Sequence, residues 1–312
     1  METPSEQKIV VTGGAGFIGS QIAESFIPEN DVVVVDTLFS GSAQNIPAEA
    51  TFIQADVRNK EALEAAATDA DIIFHEAALV SVTASVDDPE TSHAINVNGT
   101  INVLEAARQH DTRVVLASSA AIYGPPNTVP ITEDHPKQPG SPYGLDKLAL
   151  DQYAQIYNKL YGLETVPLRY FNVYGPGQTG GEYAGVITVF IEQALSGDDI
   201  TVHGDGEQTR DFVFIDDIVE ANRRGSITDS VGEPFNIGTG DSITIRELAE
   251  LIRTVTDSDS DIVHTDGRSA DIKHSQADIS KSTEQLEYEP TTSIQDGIEQ
   301  TVEWYMSQQI SQ

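Results

Sequence analysis

The 312-residue sequence contains no cysteine. Disulfides, thiolate metal sites and a cysteine nucleophile are therefore excluded. The sequence also lacks any apolar run of the ~20 residues that a membrane-spanning helix needs. Its first residues show no basic segment followed by an apolar core, as a secretion signal would. These absences predict a cytoplasmic protein.

Basic residues are scarce, because 17 Lys and Arg stand against 50 Asp and Glu and give a net charge of −33 at pH 7. Such a surface repels nucleic acid and anionic membranes, so we expect neither as a partner. Molar salt shortens the range of charge repulsion to ~3 Å. The composition thus favours adaptation to a salt-rich cytoplasm, although an acidic exterior that only keeps the protein soluble is the alternative.

The first half of the chain alternates β-branched runs with stretches of helical periodicity. Strands are predicted at residues 8–12, 31–36, 51–54, 71–75, 113–118 and 163–168. Helices are predicted at residues 18–25, 60–68, 97–109 and 142–160. This alternation predicts an α/β fold with a Rossmann-like, doubly wound parallel sheet.

Regularity weakens after the glycine-rich segment 175–185. We expect a sheet domain over residues 1–175 and a smaller lobe over residues 176–312, partly interleaved with the first. Helices are predicted near 186–195, 244–254 and 294–306, with a pair of strands within 199–214.

A glycine-rich turn follows the first predicted strand. Its glycines are Gly13, Gly14, Gly16 and Gly19, and a predicted helix comes next. Glycine lets the backbone approach a pyrophosphate at a helix N-terminus. Asp36 ends the second strand, where a carboxylate accepts hydrogen bonds from ribose hydroxyls and repels a 2′-phosphate. With no arginine at residues 37–39, this pattern favours NAD over NADP.

Tyr143 and Lys147 are four residues apart, which places both on one face of a helix. A free tyrosine has a pKa near ~10, and lowering that pKa to ~7 requires about 4 kcal/mol of phenolate stabilisation. The lysine and a positively charged nicotinamide would supply it. A hydroxyl of Ser118 or Ser119, at the end of a strand, would bridge the tyrosine and a substrate oxygen. Together these residues predict hydride transfer between a secondary alcohol and NAD, with Tyr143 moving the proton.

The sequence resembles the NAD-dependent epimerase/dehydratase family of extended short-chain dehydrogenases over nearly its full length. Eight ordered segments carry the resemblance: 11–20 (VTGGAGFIGS), 75–78 (HEAA), 96–100 (NVNGT), 117–124 (ASSAAIYG), 143–147, 169–175 (RYFNVYG), 204–217 (GDGEQTRDFVFIDD) and 268–280. The resemblance implies that residues 1–175 bind NAD and that the smaller lobe binds a nucleotide sugar. It also implies a homodimer formed through two helices of the sheet domain.

The resemblance further implies roles for individual residues. The implied catalytic residues are Ser119, Tyr143 and Lys147. The implied NAD-binding residues are these three together with Gly13, Gly16, Phe17, Ile18, Gly19, Asp36, Ser40, Gly41, Asp56, Val57, Ala77, Ala78, Asn96 and Phe171. The implied substrate-binding residues are Asn172, Arg210, Arg268, Asp271 and Ser275. The scattered histidines predict no metal site.

The activity implied by the resemblance is 4-epimerisation of a UDP-hexose with tightly held NAD. Family dehydratases carry an Asp-Glu pair directly after the active-site hydroxyl residue, and the decarboxylases carry a glutamate there. This chain has Ala120 and Ala121. The small Ser275 predicts tolerance of N-acetylhexosamines. The alternatives are a nucleotide-sugar 4-ketoreductase or dehydrogenase, and a protein that binds NAD or a nucleotide sugar without catalysis.

Overall fold

A seven-stranded parallel sheet forms the centre of the computed structural model, which describes residues 4–179, 185–267 and 272–310. The described strands are β1 (Lys8–Thr12), β2 (Asp31–Asp36), β3 (Thr51–Gln54), β4 (Ile72–His75), β5 (Arg113–Ser119), β6 (Thr165–Tyr170), β7 (Asn172–Tyr174), β8 (Ile200–His203), β9 (Thr209–Arg210), β10 (Phe212–Phe214), β11 (Phe235–Ile237), β12 (Ile243–Thr244) and β13 (Ile262–Thr265). The described α-helices are α1 (Phe17–Phe26), α2 (Lys60–Ala67), α3 (Val82–Asp87), α4 (Pro89–His93), α5 (Gly99–His110), α6 (Pro142–Tyr161), α7 (Val186–Ser196), α8 (Ile215–Ile227), α9 (Ile245–Val255), α10 (Ser280–Leu286) and α11 (Ile294–Ile310).

The order of strands in the large sheet is β11-β6-β5-β4-β1-β2-β3, and each neighbouring pair is parallel. The predicted Rossmann-like α/β fold is therefore confirmed. The order reverses between β1 and β4, where Thr12 lies opposite His75. In such sheets a crevice opens at the carboxyl ends of the strands beside this reversal.

Two apolar layers cover the sheet. On one face α1 packs with α8 through residues such as Phe26 and Ile218, in an apolar cluster that continues to Phe190 of α7. On the other face α2, α5 and α6 pack through residues such as Leu104 and Leu150. Among the described residues, no helix combines the length and apolar character needed to cross a bilayer.

The strands predicted within residues 199–214 exist, but the prediction that they pair with each other is wrong. β8 pairs with β13, placing Ile200 beside Ile262, and β10 pairs with β7, placing Phe212 beside Asn172. Pairing between distant segments depends on packing that local patterns do not encode. The sequence patterns do not predict α8 or β11, and β11 is the edge strand beside β6. The division at residue 175 stays a prediction.

A buried ion pair joins α6 to the sheet. Arg169 of β6 and Asp151 of α6 are at most 1% exposed and lie 2.8 Å apart. The Asp151 carboxylate also accepts a hydrogen bond from Ser118 at 2.8 Å. The Arg169 guanidinium also donates to the hydroxyl of Tyr123 at 2.9 Å. Both charges are thus satisfied inside the protein.

We predict that Asp151→Asn lowers the free energy of unfolding by about 3–5 kcal/mol, because Arg169 then remains buried without a compensating charge. The control Glu207→Gln breaks an exposed pair with Arg246 and should cost less than about 1 kcal/mol. Urea unfolding followed by circular dichroism, at one fixed KCl concentration, measures both changes. Equal effects of the two substitutions would contradict the prediction.

Candidate active site

A glycine turn connects β1 to α1 beside the reversal in strand order. Gly13 has a φ of +71°, and a Cβ there would lie 2.6 Å from a backbone nitrogen of the loop after β4. A Cβ at Gly19 would overlap the carbonyl oxygen of Gly13. Gly16 precedes α1 without a capping side chain, so no side chain at the N-cap competes with an anion for the amides of the first turn, which begins with Phe17 and Ile18. This cradle fits the pyrophosphate of a dinucleotide.

Asp36 ends β2 and holds the adjoining loop with its carboxylate. Its Oδ2 accepts a hydrogen bond from the Ala15 nitrogen at 3.0 Å, and its Oδ1 accepts one from the Leu38 nitrogen at 2.7 Å. Gly41 packs so closely that a Cβ would lie 2.7 Å from the Ala15 carbonyl oxygen. Ser40 beside it is exposed. Each carboxylate oxygen has a second lone pair, so Asp36 can still accept a hydrogen bond from a ribose.

Asp56 and Val57 follow β3 at the same edge of the sheet. Arg58 hydrogen-bonds to Asp56 at 2.7 Å, which lowers the pKa of that carboxyl and keeps it ionised at neutral pH. Val57 is buried, and its carbonyl accepts a hydrogen bond from Asn102 at 3.1 Å. A Cβ at Gly99 would lie 2.6 Å from the Val57 side chain. The backbone that would face an adenine is therefore fixed by packing.

The loop after β4 contains Ala77 and Ala78. Asn96 is 1% exposed and clamps this loop, because its side-chain oxygen accepts from the Leu79 nitrogen at 2.8 Å and its amide donates to the Leu79 carbonyl at 3.1 Å. Phe171 follows β6 and is buried. Asn96 thus acts on the shape of the predicted cofactor site by holding its backbone.

His75 is the last residue of β4 and is buried between two threonines. Its Nδ1 lies 2.7 Å from the Thr12 hydroxyl, and its Nε2 lies 2.9 Å from the Thr100 hydroxyl. Burial lowers the pKa of His75 to about 3, so the ring stays neutral. Its contacts support a structural role. Among the described residues, no group of three His, Asp or Glu side chains is arranged to hold a metal ion.

The three predicted catalytic side chains lie together. Ser119 ends β5, and its hydroxyl lies close enough to Tyr143, near the start of α6, to act on the pKa of that phenol. Lys147 lies one turn further along α6, with its Nζ 6.0 Å from the centre of the Tyr143 ring. That Nζ donates to the Ala117 carbonyl at 2.7 Å. The Tyr143 nitrogen donates to the buried Ser85 hydroxyl at 3.1 Å, which fixes the position of this turn.

The protonation of these groups depends on burial. Burial raises the pKa of Tyr143, and the Ser119 hydroxyl opposes that rise. Burial also lowers the pKa of Lys147 to about 8, while the carboxylates of Glu76 and Asp146 oppose that fall. The chain alone therefore leaves the phenol protonated at neutral pH. A further positive charge beside Tyr143 is needed to lower its pKa.

Glu76 is a site residue that sequence reasoning missed. It directly follows His75 at the end of β4, and the Tyr170 hydroxyl donates to its Oε1 at 3.1 Å. Asn222 of α8 donates to that hydroxyl at 2.7 Å. Burial raises the pKa of Glu76 to about 7, opposed by the charge of Lys147 and by the Tyr170 hydrogen bond. The one sequence signal for Glu76 is its position within the HEAA segment, and that segment indicates the family without indicating a role for Glu76.

Three predicted substrate residues converge on β9. Arg210 lies on this strand and is half-buried. Ser275 is 7% exposed, and its nitrogen donates to the Thr209 carbonyl at 3.1 Å. Asn172 of β7 donates through its side chain to the Asp211 carbonyl at 2.9 Å. Two further predicted residues, Arg268 and Asp271, lie outside the described residues.

The family model described as the NAD-dependent epimerase/dehydratase family matches residues 9–238. The UDP-glucose 4-epimerase of Mycolicibacterium smegmatis is 36% identical over 307 residues, covering 96% of this chain and 98% of that protein. A UDP-N-acetyl-α-D-glucosaminuronate decarboxylase of Bacillus cytotoxicus is 33% identical over 320 residues, covering 96% of this chain and 98% of that protein.

Among solved structures, a UDP-N-acetylglucosamine 4-epimerase from Methanobrevibacter ruminantium M1, in complex with UDP-N-acetylmuramic acid, matches with a TM-score of 0.94. The two chains are 36% identical, and the match covers 98% of this chain and 100% of the other. The similarity therefore extends over both the sheet and the second half of the chain.

We predict that Glu76→Gln lowers the pKa of Lys147 further below about 8, because the carboxylate that stabilises the ammonium is removed. Titration of ¹³C-labelled lysines by NMR, in protein freed of bound nucleotides, reads this pKa directly. The exposed Lys159 is the internal reference, and the surface substitution Glu61→Gln controls for the lost charge. An unchanged Lys147 titration in Glu76→Gln would show that the two groups are not coupled.

Proposed function

Because the chain belongs to the NAD-dependent epimerase/dehydratase family and NAD is its cofactor, we propose that it is a UDP-hexose 4-epimerase. The proposed reaction interconverts UDP-glucose and UDP-galactose with no net oxidation. The proposal rests on the intact set of Ser119, Tyr143 and Lys147. The turn directly after Ser119 bears no carboxyl group.

That turn is the short helix Ala120–Tyr123. The Ser119 hydroxyl accepts a hydrogen bond from the Ala121 nitrogen at 3.1 Å, so both alanines lie directly beside the catalytic serine. A methyl group can neither donate nor accept a proton. The acid–base pair that a family dehydratase would use, and the glutamate of the decarboxylases, are therefore both absent from the two positions after Ser119. Epimerisation at C4 requires neither group.

In the proposed mechanism, Tyr143 as phenolate removes the proton of the sugar 4-hydroxyl, and Ser119 holds the same oxygen. NAD held by the glycine turn and Asp36 would supply the acceptor for the hydride of the sugar C4 and the donor for the return of that hydride to C4. Lys147, held by the Ala117 carbonyl, keeps a positive charge on the side of the phenolate. After the 4-keto sugar has rotated within the site, Tyr143 returns the proton to the oxygen on C4.

Rotation of the 4-keto sugar requires that the nucleotide be held firmly and that the site leave space around the hexose. Arg210 directly precedes Asp211, whose carbonyl binds Asn172. Its planar guanidinium group is suited to binding diphosphate oxygens, and we propose that Arg268 binds the same diphosphate. The small side chain of Ser275 leaves room for an N-acetyl group. The relative from Methanobrevibacter ruminantium M1 is itself named for an N-acetylated sugar. We include UDP-N-acetylhexosamines among the substrates.

We predict that the protein interconverts UDP-glucose and UDP-galactose in molar KCl without added reductant, as resolved by NMR of the epimers. Tyr143→Phe should lower kcat by about 10²–10⁴-fold, because proton transfer to and from the 4-hydroxyl is lost. NAD and UDP binding should survive this substitution.

Each alternative function gives a different result in this experiment. Net production or consumption of NADH, with release of the cofactor, would identify a ketoreductase or dehydrogenase. Retained ligand binding with no turnover in the unsubstituted protein would identify a non-catalytic binder. Turnover of UDP-galactose with none of UDP-N-acetylglucosamine would restrict the substrates to unmodified hexoses.

We also propose that the protein acts as a homodimer in a salt-rich cytoplasm. The outer face of α6 exposes three large apolar residues at helical spacing: Leu145, Ile156 and Leu160. Leu160 is 65% exposed. Arg108 of α5 lies over the ring of the neighbouring Tyr161 at 5.2 Å, so α5 lies beside this end of α6. Covering it with a second copy would remove the apolar surface from water. The net charge of −33 supports the requirement for screening salt.

We predict a scattering mass of about twice 33.6 kDa in molar KCl. Leu160→Lys should give the monomer, whereas Met306→Lys, on an exposed position of α11, should leave the dimer intact. On desalting into dilute buffer, unscreened repulsion should cause loss of the native circular dichroism signal. A monomer in molar KCl, or full activity after desalting, would overturn the corresponding part of the proposal.

A further inference from the structure

Asp211 lies between Arg210 and β10 and is 0% exposed. Its Oδ1 accepts hydrogen bonds from the nitrogen and the hydroxyl of Thr239, both at 2.8 Å. Its Oδ2 accepts from the Gly240 nitrogen at 3.1 Å and from the Ala277 nitrogen at 3.0 Å. One carboxylate therefore joins two segments that are far apart in the sequence.

The backbone of Asp211 adds a third segment. Its carbonyl oxygen accepts from the backbone nitrogen of Asn172 at 3.1 Å and from the side chain of Asn172 at 2.9 Å. The surroundings leave little room for adjustment, since a Cβ at Gly238 would lie 2.8 Å from the Asp211 carboxylate. Gln276 also donates to the Gly240 carbonyl at 2.6 Å, which links the two carboxylate-bound segments to each other.

These three segments carry the described residues that the proposed function assigns to the substrate. Arg210 is the neighbour of Asp211 in the chain, Asn172 binds its carbonyl, and Ser275 lies two residues before Ala277. Asn172 is held by the backbone carbonyl of residue 211, and the Ser275 nitrogen is held by the Thr209 carbonyl. The Asp211 carboxylate adds a contact to Ala277, which limits how far the segment that carries Ser275 can move relative to Arg210. We propose that Asp211 is the positioning residue of the nucleotide-sugar site, fixing the relative positions of Asn172, Arg210 and Ser275. This inference rests on the proposed function for the identity of the ligand.

The chain offers a matched control in Asp217, six residues further along. Asp217 is 2% exposed, and its carboxylate accepts from the nitrogen and hydroxyl of Thr291 and from the nitrogen of Thr292 at 2.8–3.3 Å. It therefore has the same chemistry, burial and kind of donor as Asp211. The segment it holds leads into α11 and carries none of the predicted substrate residues.

The test compares Asp211→Asn with Asp217→Asn in the NAD-containing protein. An asparagine has one acceptor oxygen, so donors now bound to the second oxygen lose their partner. We expect Asp211→Asn to raise the Kd for UDP, measured by calorimetry, and the KM for the UDP-sugar on the order of tenfold or more. The kcat and the amount of retained NAD should stay within about threefold. Asp217→Asn should change thermal stability but neither Kd nor KM.

A second pair of substitutions keeps the test decisive if Asp211→Asn does not fold. Thr239→Val removes one hydroxyl donor to Asp211 and should raise the Kd for UDP, whereas Thr239→Ser should restore it. An equal effect of both Thr239 substitutions, or equal effects of the two aspartate substitutions on Kd, would show that Asp211 has a structural role only.

The nucleotide is tested separately with dTDP and GDP as further calorimetric probes. If the unsubstituted protein binds one of these in place of UDP, the UDP assignment fails while the Asp211 comparison is made with the nucleotide that binds. If it binds none of the three, both the proposed function and the role of Asp211 are overturned.

Discussion

Arg169 and Asp151 place two opposite charges in the interior, where an unpaired charge would be strongly unfavourable. Because the pair spans β6 and α6, it fixes the helix that carries Tyr143 and Lys147 against the sheet. The same carboxylate binds Ser118, which directly precedes Ser119 at the end of β5. The contacts of Asp151 thus fix the position of the Ser119 hydroxyl relative to the Tyr143 phenol. A shift of ~1 Å between such groups can reduce a reaction rate by ~100-fold.

The pair also extends toward the second half of the chain. Arg169 donates to Tyr123, and the Tyr123 hydroxyl donates to Asn236 of β11 at 2.6 Å. Asn236 in turn donates to the Ile131 carbonyl at 2.8 Å. A chain of buried hydrogen bonds therefore runs from α6 through Arg169 to β11, the edge strand formed by a later part of the sequence. This protein has few basic residues, and one of them, Arg169, is used to hold the interior together. Its arginines therefore serve internal structure as well as the proposed ligand binding.

The sequence predicts the first six strands within about two residues, because most of them are short, buried runs bounded by clear turn residues. The exception is β3, which is largely exposed at the edge of the sheet. Helical spacing alone predicts that Tyr143 and Lys147 lie on one face of a helix, and the strand end offers Ser118 or Ser119. The family resemblance is what selects Ser119 of the two. The pairing of β8 with β13 and the edge position of β11 could not be predicted in this way. Their apolar runs are only three or four residues long, and the contacts that select their partners are distant in the chain.

Glu76 and Asp211 show the same limit within the site. Each is an ordinary acidic residue inside a family segment, and its role depends on partners from other elements: Tyr170 and Asn222 for the first, Thr239 and Ala277 for the second. The two carboxyls nevertheless have opposite electrostatic consequences. Glu76 faces the charge of Lys147 and so acts on protonation, whereas the donors that bind Asp211 are neutral amides and a hydroxyl, so it acts on geometry. A 4-epimerase needs both effects at separate places, because the proton must move at one end of the substrate while the nucleotide at the other end stays still.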